Sequence, residues 1–130
     1  MIRENSDPKK NIEIALETHY VAEQSEPAAD KFVFAYTIRI TNNSVAVNQL
    51  LSRHWVITDG AGDVEEVRGE GVVGKQPKLA SGETFEYTSG AILKTPVGTM
   101  QGSYQFENQD GERFDVPIPV FSLSVPHLVH

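Results

Sequence analysis

The sequence predicts an all-β protein, in which about seven to eight antiparallel strands form an immunoglobulin-like or fibronectin type III-like β-sandwich. Short stretches of alternating apolar and polar residues are separated by clusters of Gly, Pro, Asn and Asp, which is the pattern of strands and turns. No stretch shows the apolar period of an amphipathic helix. The single tryptophan, Trp55, lies within one alternating stretch, where it would anchor the core. A closed barrel is the alternative architecture.

The composition fits one domain over residues 1–130, with a flexible tail predicted for the polar residues 1–10. The 18 acidic and 11 basic residues give a net charge of −7, which argues against a nucleic-acid partner and against binding to anionic membranes. The absence of cysteine excludes disulfides and thiolate metal sites. Because we see neither a secretory signal nor an apolar run of roughly 20 residues, we predict a cytoplasmic protein.

The first two strands are predicted from alternation alone. Ile12, Ile14 and Leu16 alternate with polar residues and indicate a half-buried strand, and a loop is predicted over residues 21–30. Five apolar residues at strict period two then give the clearest strand, over residues 32–40, and the Asn and Ser residues at 42–44 end it.

The third strand, over residues 49–59, carries the tryptophan. Leu51, Trp55 and Ile57 share one parity, which predicts one apolar face. Arg53 falls on the same face as Trp55, and His54 falls on the other. Glycines at residues 59–63 predict a hairpin loop into the next strand.

The second half of the chain continues the same pattern. A return strand begins at residue 64, and further strands are predicted over 85–89 and 99–106, with a hairpin signal at 108–111. The last strand contains an apolar row interrupted by prolines on the other parity, which suits an edge strand. Its apolar face then shifts by one residue, which predicts a bulge or kink at the prolines. The row is Phe114, Val116, Ile118 and Val120, the prolines are Pro117 and Pro119, and the shifted residues are Phe121, Leu123 and Val125.

Gly69, Gly71 and Gly74 spell a G-x-G-x-x-G motif. In a dinucleotide-binding domain this motif opens a helix whose N-terminus meets a pyrophosphate, but no helix can follow here. A glycine-rich loop could still expose backbone N–H groups as an anion nest, helped by Arg68 and Lys75. Glutamates in the same stretch balance the nearby cations. The alternative, which we favour, is a bulged strand and turn that need small residues.

Arg53 and His54 are candidates for phosphate or metal binding. The alternative is a half-exposed pair with Arg53 over an aromatic ring, and we favour it because one histidine and one arginine without a defined geometry do not make a site. His127 and His130, with Glu17, could hold a metal, but an exposed tail is the better interpretation. No nucleophile motif or Ser/His/Asp set stands out, so we predict no catalytic residue, no metal site and no cofactor.

Several motifs in the same order resemble the ApaG family across nearly the whole chain. They lie at residues 49–55, 69–77, 81–90, 95–104 and 118–121. One small departure is Ala80, where the family often has proline before the glycine turn. The resemblance implies a fibronectin type III-like sandwich in a small bacterial cytosolic protein, genetically linked to cobalt tolerance and magnesium efflux. It also implies a gene near that of a diadenosine tetraphosphate hydrolase, and related domains in eukaryotic interaction proteins. No reaction is attached to the family.

These observations predict a non-enzymatic module that binds another protein through the surface around Arg53, His54 and the 69–74 loop. The alternative is a sensor or weak hydrolase that binds a nucleotide, polyphosphate or pyrophosphate through the glycine-rich loop, Arg68 and Lys75. Direct binding of divalent cations is a third hypothesis. An exposed edge strand could also pair two copies of the chain.

Overall fold

The structure, a computed structural model, describes residues 7–126. The eight strands are β1 (Ile12–Tyr20), β2 (Phe32–Asn42), β3 (Asn48–Asp59), β4 (Val64–Glu70), β5 (Lys78–Leu79), β6 (Thr84–Leu93), β7 (Val97–Asn108) and β8 (Arg113–Ser124). The predicted loop after β1 contains two single 3₁₀ turns, Ala22–Gln24 and Pro27–Ala29. Of the predicted tail, residues 7–10 are described, and Pro8 accepts a backbone hydrogen bond from Val45.

The strands form two antiparallel sheets. One has the order β1-β2-β6, and the other has the order β4-β3-β7-β8, with the short β5 added beside β3. The two sheets end in four separate edge strands, so the predicted sandwich is confirmed and the barrel is excluded. None of the helices in the described residues is long and apolar enough to cross a bilayer.

The core lies between the inner faces of the two sheets. Strict alternation in β2 places Phe34, Tyr36, Ile38 and Ile40 inward, each nearly or fully buried. Trp55 crosses this layer and meets the rings of Tyr36, Tyr104 and Phe121 edge-on, with centroids 5.4–6.3 Å apart. The tryptophan therefore anchors the core, since edge-to-face packing adds to the apolar area that it buries.

The apolar face of β3 differs from the prediction at one position. The register against β7 shifts between Leu50 and Ser52, so a β-bulge inserts one residue there. As a result Leu50 is fully buried while Leu51 is only partly buried. The prediction that Leu51 shares the core face of Trp55 was wrong, because a bulge reverses the parity of every residue on one side of it.

The last strand is an edge strand, as its prolines predicted. The register between β7 and β8 shifts next to Pro119, which confirms the predicted bulge. Beyond it, Leu123 is buried and Phe121 is partly buried. Val120 was placed in the apolar row, but it is exposed because the bulge begins there and turns its side chain outward.

A buried polar cluster, formed by Asn42, Ser44 and Asn48, ties the end of β2 to the start of β3. The Asn42 amide donates to the carbonyls of Ala46 and Leu79, and its oxygen accepts from the Ser44 amide and hydroxyl. Asn48 donates to Ser44 Oγ, and its own Oδ1 is the one buried side-chain polar atom of residues 7–126 without a partner. Where the chain turns, side-chain hydrogen bonds thus replace the backbone hydrogen bonds between strands.

The two long sides of the sandwich are closed differently. On one side β1 packs along β8. On the other side the edge strands are β4 and β6, and the space between them is open to the inner faces of both sheets. This open side positions the candidate site.

Candidate ligand pocket

Arg53 lies on the inner side of β3, two residues before Trp55, at the open side of the sandwich. Its guanidinium bends over Gly69, the residue paired with it on β4. A Cβ built on Gly69 would lie 2.9 Å from Arg53 Nη1, so glycine leaves the room that the guanidinium needs. Arg53 Nη1 donates to the carbonyls of Glu70 at 3.0 Å and Gly71 at 2.8 Å. The side chain therefore fixes the end of β4.

The rest of the glycine motif makes a tight turn beside Arg53. Val72 and Lys75 exchange two backbone hydrogen bonds of 2.8 and 2.9 Å. Val73 and Gly74 between them both have positive φ, 43° and 79°, as a type I′ turn requires. A Cβ on Gly71, at φ 65°, would lie 2.5 Å from the Lys75 carbonyl oxygen. This position therefore needs glycine for the turn itself.

The Arg53 pocket lies between this turn and the smaller sheet and has a volume of about 280 Å³. Both sheets and the turn contribute to its walls. The residues that line it are Tyr36, Arg53, Trp55, Glu70, Val72, Val73, Gly74, Tyr87 and Ser89. Tyr36 and Ser89 are direct partners across β2 and β6, so they form one wall opposite Arg53.

The charge of Arg53 has no acidic partner in the described chain. The other arginines of residues 7–126 each pair with a glutamate, whereas Arg53 forms no salt bridge there. Glu70 contributes to the pocket wall, but it is the register partner of Ser52 and lies with it beside the outer face of the larger sheet. A guanidinium has five N–H donors, and the hydrogen bonds of Arg53 to described residues all leave from Nη1. The remaining donors can serve a ligand.

Phenol groups surround this cation and remain protonated at neutral pH. Burial raises the pKa of Tyr36, and the hydrogen bond with Ser89 and the charge of Arg53 offset this only in part. Burial also raises the pKa of Tyr87 and of Tyr104, whose hydroxyls share a hydrogen bond. Neutral phenols donate hydrogen bonds and do not act as general bases. The cation and the neutral phenols of the pocket can therefore hold an anionic group.

The structure divides the predicted site residues into two groups. Arg53 and Gly74 line the Arg53 pocket, Gly69 lies beneath the Arg53 guanidinium, and the Gly71 carbonyl accepts a hydrogen bond from it. His54 and Arg68 lie opposite each other on the outer face of the larger sheet, where Glu66 pairs with both. The His54 Nε2–Glu66 Oε1 distance is 2.7 Å, and the Arg68 Nη2–Glu66 Oε1 distance is 3.6 Å. The backbone of Lys75 closes the turn.

A larger depression lies on that outer face and has a volume of about 550 Å³. Its polar side chains bond to one another. Ser52 Oγ donates to Gln105 at 2.8 Å, and Gln105 Nε2 donates to Asp115 at 3.3 Å. Arg113 at its margin pairs with Glu107. Because Ser52, Gln105 and Arg113 already have partners within the chain, this depression is a weaker candidate than the Arg53 pocket.

The described residues contain no group of three His, Asp or Glu side chains placed to hold a metal. The predicted pair His127 and His130 lies outside the described residues.

Sequence reasoning missed the wall of the pocket opposite Arg53. Tyr36, Tyr87 and Ser89 lie at inward-facing positions of their strands. The alternation of apolar and polar residues could therefore have predicted that they face the interior. Their position opposite Arg53 depends on how the two sheets pack, which alternation along one strand does not specify.

Comparison with known proteins places the chain in a family. The family model described as the ApaG domain matches residues 22–108. The chain is 59% identical over 122 residues to the ApaG protein of Thiobacillus denitrificans, covering 94% of this chain and 96% of that protein. It is 58% identical to the ApaG protein of Nitrosospira multiformis, covering 93% and 97% of the two chains. The chain belongs to the ApaG family.

Solved structures agree with this assignment. A crystal structure described as the ApaA protein of Bordetella pertussis superposes with a TM-score of 0.88 at 53% identity, and covers 90% of this chain and 95% of that one. The ApaG-family sandwich is therefore the fold of this chain, as the motifs of the sequence implied. The names of these relatives describe no enzymatic activity.

Proposed function

We propose that this ApaG-family chain is a non-enzymatic module that binds a protein partner by taking an acidic side chain of that partner into the Arg53 pocket. The observation that carries the proposal is a partly buried arginine without a carboxylate among the described residues. Removing a charge from water is costly unless it is paired. A carboxylate that pairs with the free donors of Arg53 would form charge-assisted hydrogen bonds, each contributing about 1.5–3 kcal/mol.

The size of the pocket favours a side chain over a free small molecule. Sites that enclose a drug-sized ligand have volumes of roughly 300–1,000 Å³, whereas the Arg53 pocket has about 280 Å³. It accommodates one carboxylate-bearing side chain, and the remaining contact area must then come from the surface around it. A protein partner supplies that area. On this proposal, the partner protein would account for the genetic link of the family to cobalt tolerance and magnesium efflux.

The proposal is tested by quantitative capture of proteins from a bacterial lysate with the immobilised full chain. We expect at least one protein to be retained by the wild type and depleted about tenfold or more by Arg53→Leu. Arg39→Leu is the matched control, since Arg39 pairs with Glu86 on the smaller sheet and is away from the pocket. Equal capture by Arg53→Leu, or no specific capture by the wild type, would contradict the proposal.

A second candidate is the binding of a polyphosphate or nucleotide in the same pocket. It is favoured by the turn beside Arg53, since the backbone N–H groups of Val73 and Gly74 donate to no acceptor within residues 7–126. Two such donors and a guanidinium suit a phosphate. Amide spectra of ¹⁵N-labelled protein with added pyrophosphate, and then diadenosine tetraphosphate, test this candidate. Saturable shifts at Val73, Gly74 and Arg53 would support it, and unchanged spectra at millimolar ligand would remove it.

A further inference from the structure

We infer that the partner binds as an extended segment that adds a strand to the free edge of β6. An acidic side chain of that segment occupies the Arg53 pocket, and an apolar side chain four positions before it occupies a second hollow on the same side of the sandwich. This inference rests on the proposed function and specifies how the partner is recognised. Addition of a strand to a sheet edge is a recurring mode of peptide recognition.

The first observation is the free edge of β6. In the described chain β6 pairs with β2 alone, and no other backbone hydrogen bond reaches its residues. The strand has ten residues, Thr84–Leu93, with no proline and one charged residue, Glu86. Proteins normally place prolines or charged residues on a long edge strand, which prevents it from pairing with other chains. The edge of β6 lacks this protection.

The other three edges carry such protection. Two prolines and a bulge interrupt β8. The strand β4 has seven residues, of which Glu65, Glu66, Arg68 and Glu70 are charged. The strand β1 carries Glu13 and Glu17 and packs along β8. The contrast singles out β6 as the edge that is left available for pairing.

The second observation is a hollow that continues the Arg53 pocket along β6. This Leu93 hollow has a volume of about 180 Å³. Ile57 and Leu93 line it from the two inner faces, and the exposed Val64 lies at its β4 side. The residues that line it are Ile57, Asp59, Asp63, Val64, Glu65, Ile92, Leu93 and Lys94. An apolar side chain placed there would cover surface that β4 and β6 leave open to water.

The two recesses have the spacing of one strand. Ser89 lines the Arg53 pocket and Leu93 lines the hollow, four residues apart on β6. Arg53 and Ile57 show the same separation on β3. Four residues of an extended chain span about 13 Å, and residues i and i+4 point to the same face. One added strand can therefore fill both recesses.

The direction of the added strand fixes the order of its two anchors. Antiparallel pairs outnumber parallel ones roughly two- to three-fold, so the segment runs against β6. In the sequence of the segment, the apolar residue at the Leu93 hollow therefore comes before the acidic residue at the Arg53 pocket. The predicted pattern is apolar-x-x-x-acidic. The carboxylates of Asp59, Asp63 and Glu65 at the hollow outnumber the one ammonium group of Lys94, which favours basic residues near the apolar anchor.

Selection from a randomised nonapeptide library displayed on phage, with the full chain immobilised, tests the pattern. We expect the wild type to enrich peptides with an apolar residue four positions before Asp or Glu. Arg53→Leu should abolish the acidic preference and weaken a selected peptide about tenfold or more. Val64→Asp should abolish the apolar preference. Val120→Asp is its matched control, since Val64 is 61% exposed and Val120 is 60% exposed on the distant β8.

Mapping the selected peptide onto ¹⁵N-labelled protein separates this inference from the proposed function. Amide shifts are expected along Thr84–Leu93. No enrichment, a different spacing, shifts confined to another edge, or pairing of two copies through β6 would each overturn the inference. If lysate capture still depended on Arg53 in that case, the proposed function would stand. If capture did not depend on Arg53, the proposed function would fail as well.

Discussion

Two polar regions lie inside this sandwich, and they differ in how their groups are paired. At the Asn42 cluster, formed by Asn42, Ser44 and Asn48, the fully buried side chain of Asn42 has partners for both N–H groups and for its oxygen, and Asn48 Oδ1 is the one buried side-chain atom without a partner in the described residues. At the Arg53 pocket, a charged group has two carbonyl partners and no carboxylate among the described residues. The first arrangement joins strands. The second leaves a charge and several donors that only another molecule can satisfy.

The comparison assigns stability to one region and binding to the other. A side chain whose hydrogen bonds all lie within the chain should matter for folding, because its loss leaves buried partners unpaired. A side chain that keeps donors open beside a cavity should matter less for folding and more for binding. Substitutions in the two regions should therefore separate these two properties.

Asn42→Ala is expected to have the largest effect on stability. It removes one partner of Ser44 and one partner each of the Ala46 and Leu79 carbonyls, and should lower the free energy of unfolding by about 3 kcal/mol. Denaturant unfolding followed by circular dichroism measures this loss. A change below about 1 kcal/mol would show that water replaces these hydrogen bonds.

Gly71→Ala should cost about 2 kcal/mol or more, because φ is 65° and the new Cβ would lie 2.5 Å from the Lys75 carbonyl oxygen. Gly74→Ala is the matched control, with φ 79° and no atom within 4 Å, and it should cost about 1 kcal/mol. Unfolding curves of both variants give the comparison. Equal losses would mean that the close approach at Gly71 relaxes without cost.

Tyr104→Phe should cost about 1–2 kcal/mol, because the Tyr87 hydroxyl loses its buried partner. This hydroxyl pair lies next to the pocket, but the two hydroxyls bond to each other. Its loss should therefore lower stability, as at the Asn42 cluster, and leave binding unchanged. Unfolding and lysate capture are measured on the same preparation. Unchanged stability with lost capture would move Tyr104 into the binding site.

Arg53→Leu should cost about 1–2 kcal/mol in stability, because the Glu70 carbonyl that it leaves is exposed to water and only the Gly71 carbonyl is partly buried. Its effect on capture should be large, as described above. A stability loss as large as that of Asn42→Ala would refute the division between the two regions.

Glu66→Gln is expected to have the smallest effect, a slight loss of stability at neutral pH that disappears at acidic pH. The hydrogen bond from His54 holds the pKa of the Glu66 carboxyl below its usual value. A lowered pKa in the folded state adds stability above the unfolded pKa, which is lost as pH falls through the folded value. Glu66→Gln should therefore flatten the stability profile below about pH 4. Unfolding at several pH values tests this, and a difference between the two proteins that appears only at acidic pH would contradict it.

The sequence predicted the sandwich and the edge position of β8 because both follow from alternation and from prolines. It did not predict the bulge beside Leu51, since one inserted residue leaves no mark in the composition of the strand. It indicated that Arg53 and Trp55 share a face. The enclosure of Arg53 by Tyr36, Tyr87 and Ser89 depended on packing between sheets, which local pattern does not encode.

The central claim is that the open donors of Arg53 bind a carboxylate. The most direct test is a spectrum of the arginine Nε–Hε groups in ¹⁵N-labelled protein during titration with N-acetyl-aspartyl amide. We expect a saturable shift of the Arg53 signal, while the signals of Arg39 and Arg113, which already pair with glutamates, change little. A shift shared equally by all three arginines, or an unchanged Arg53 signal, would contradict the claim.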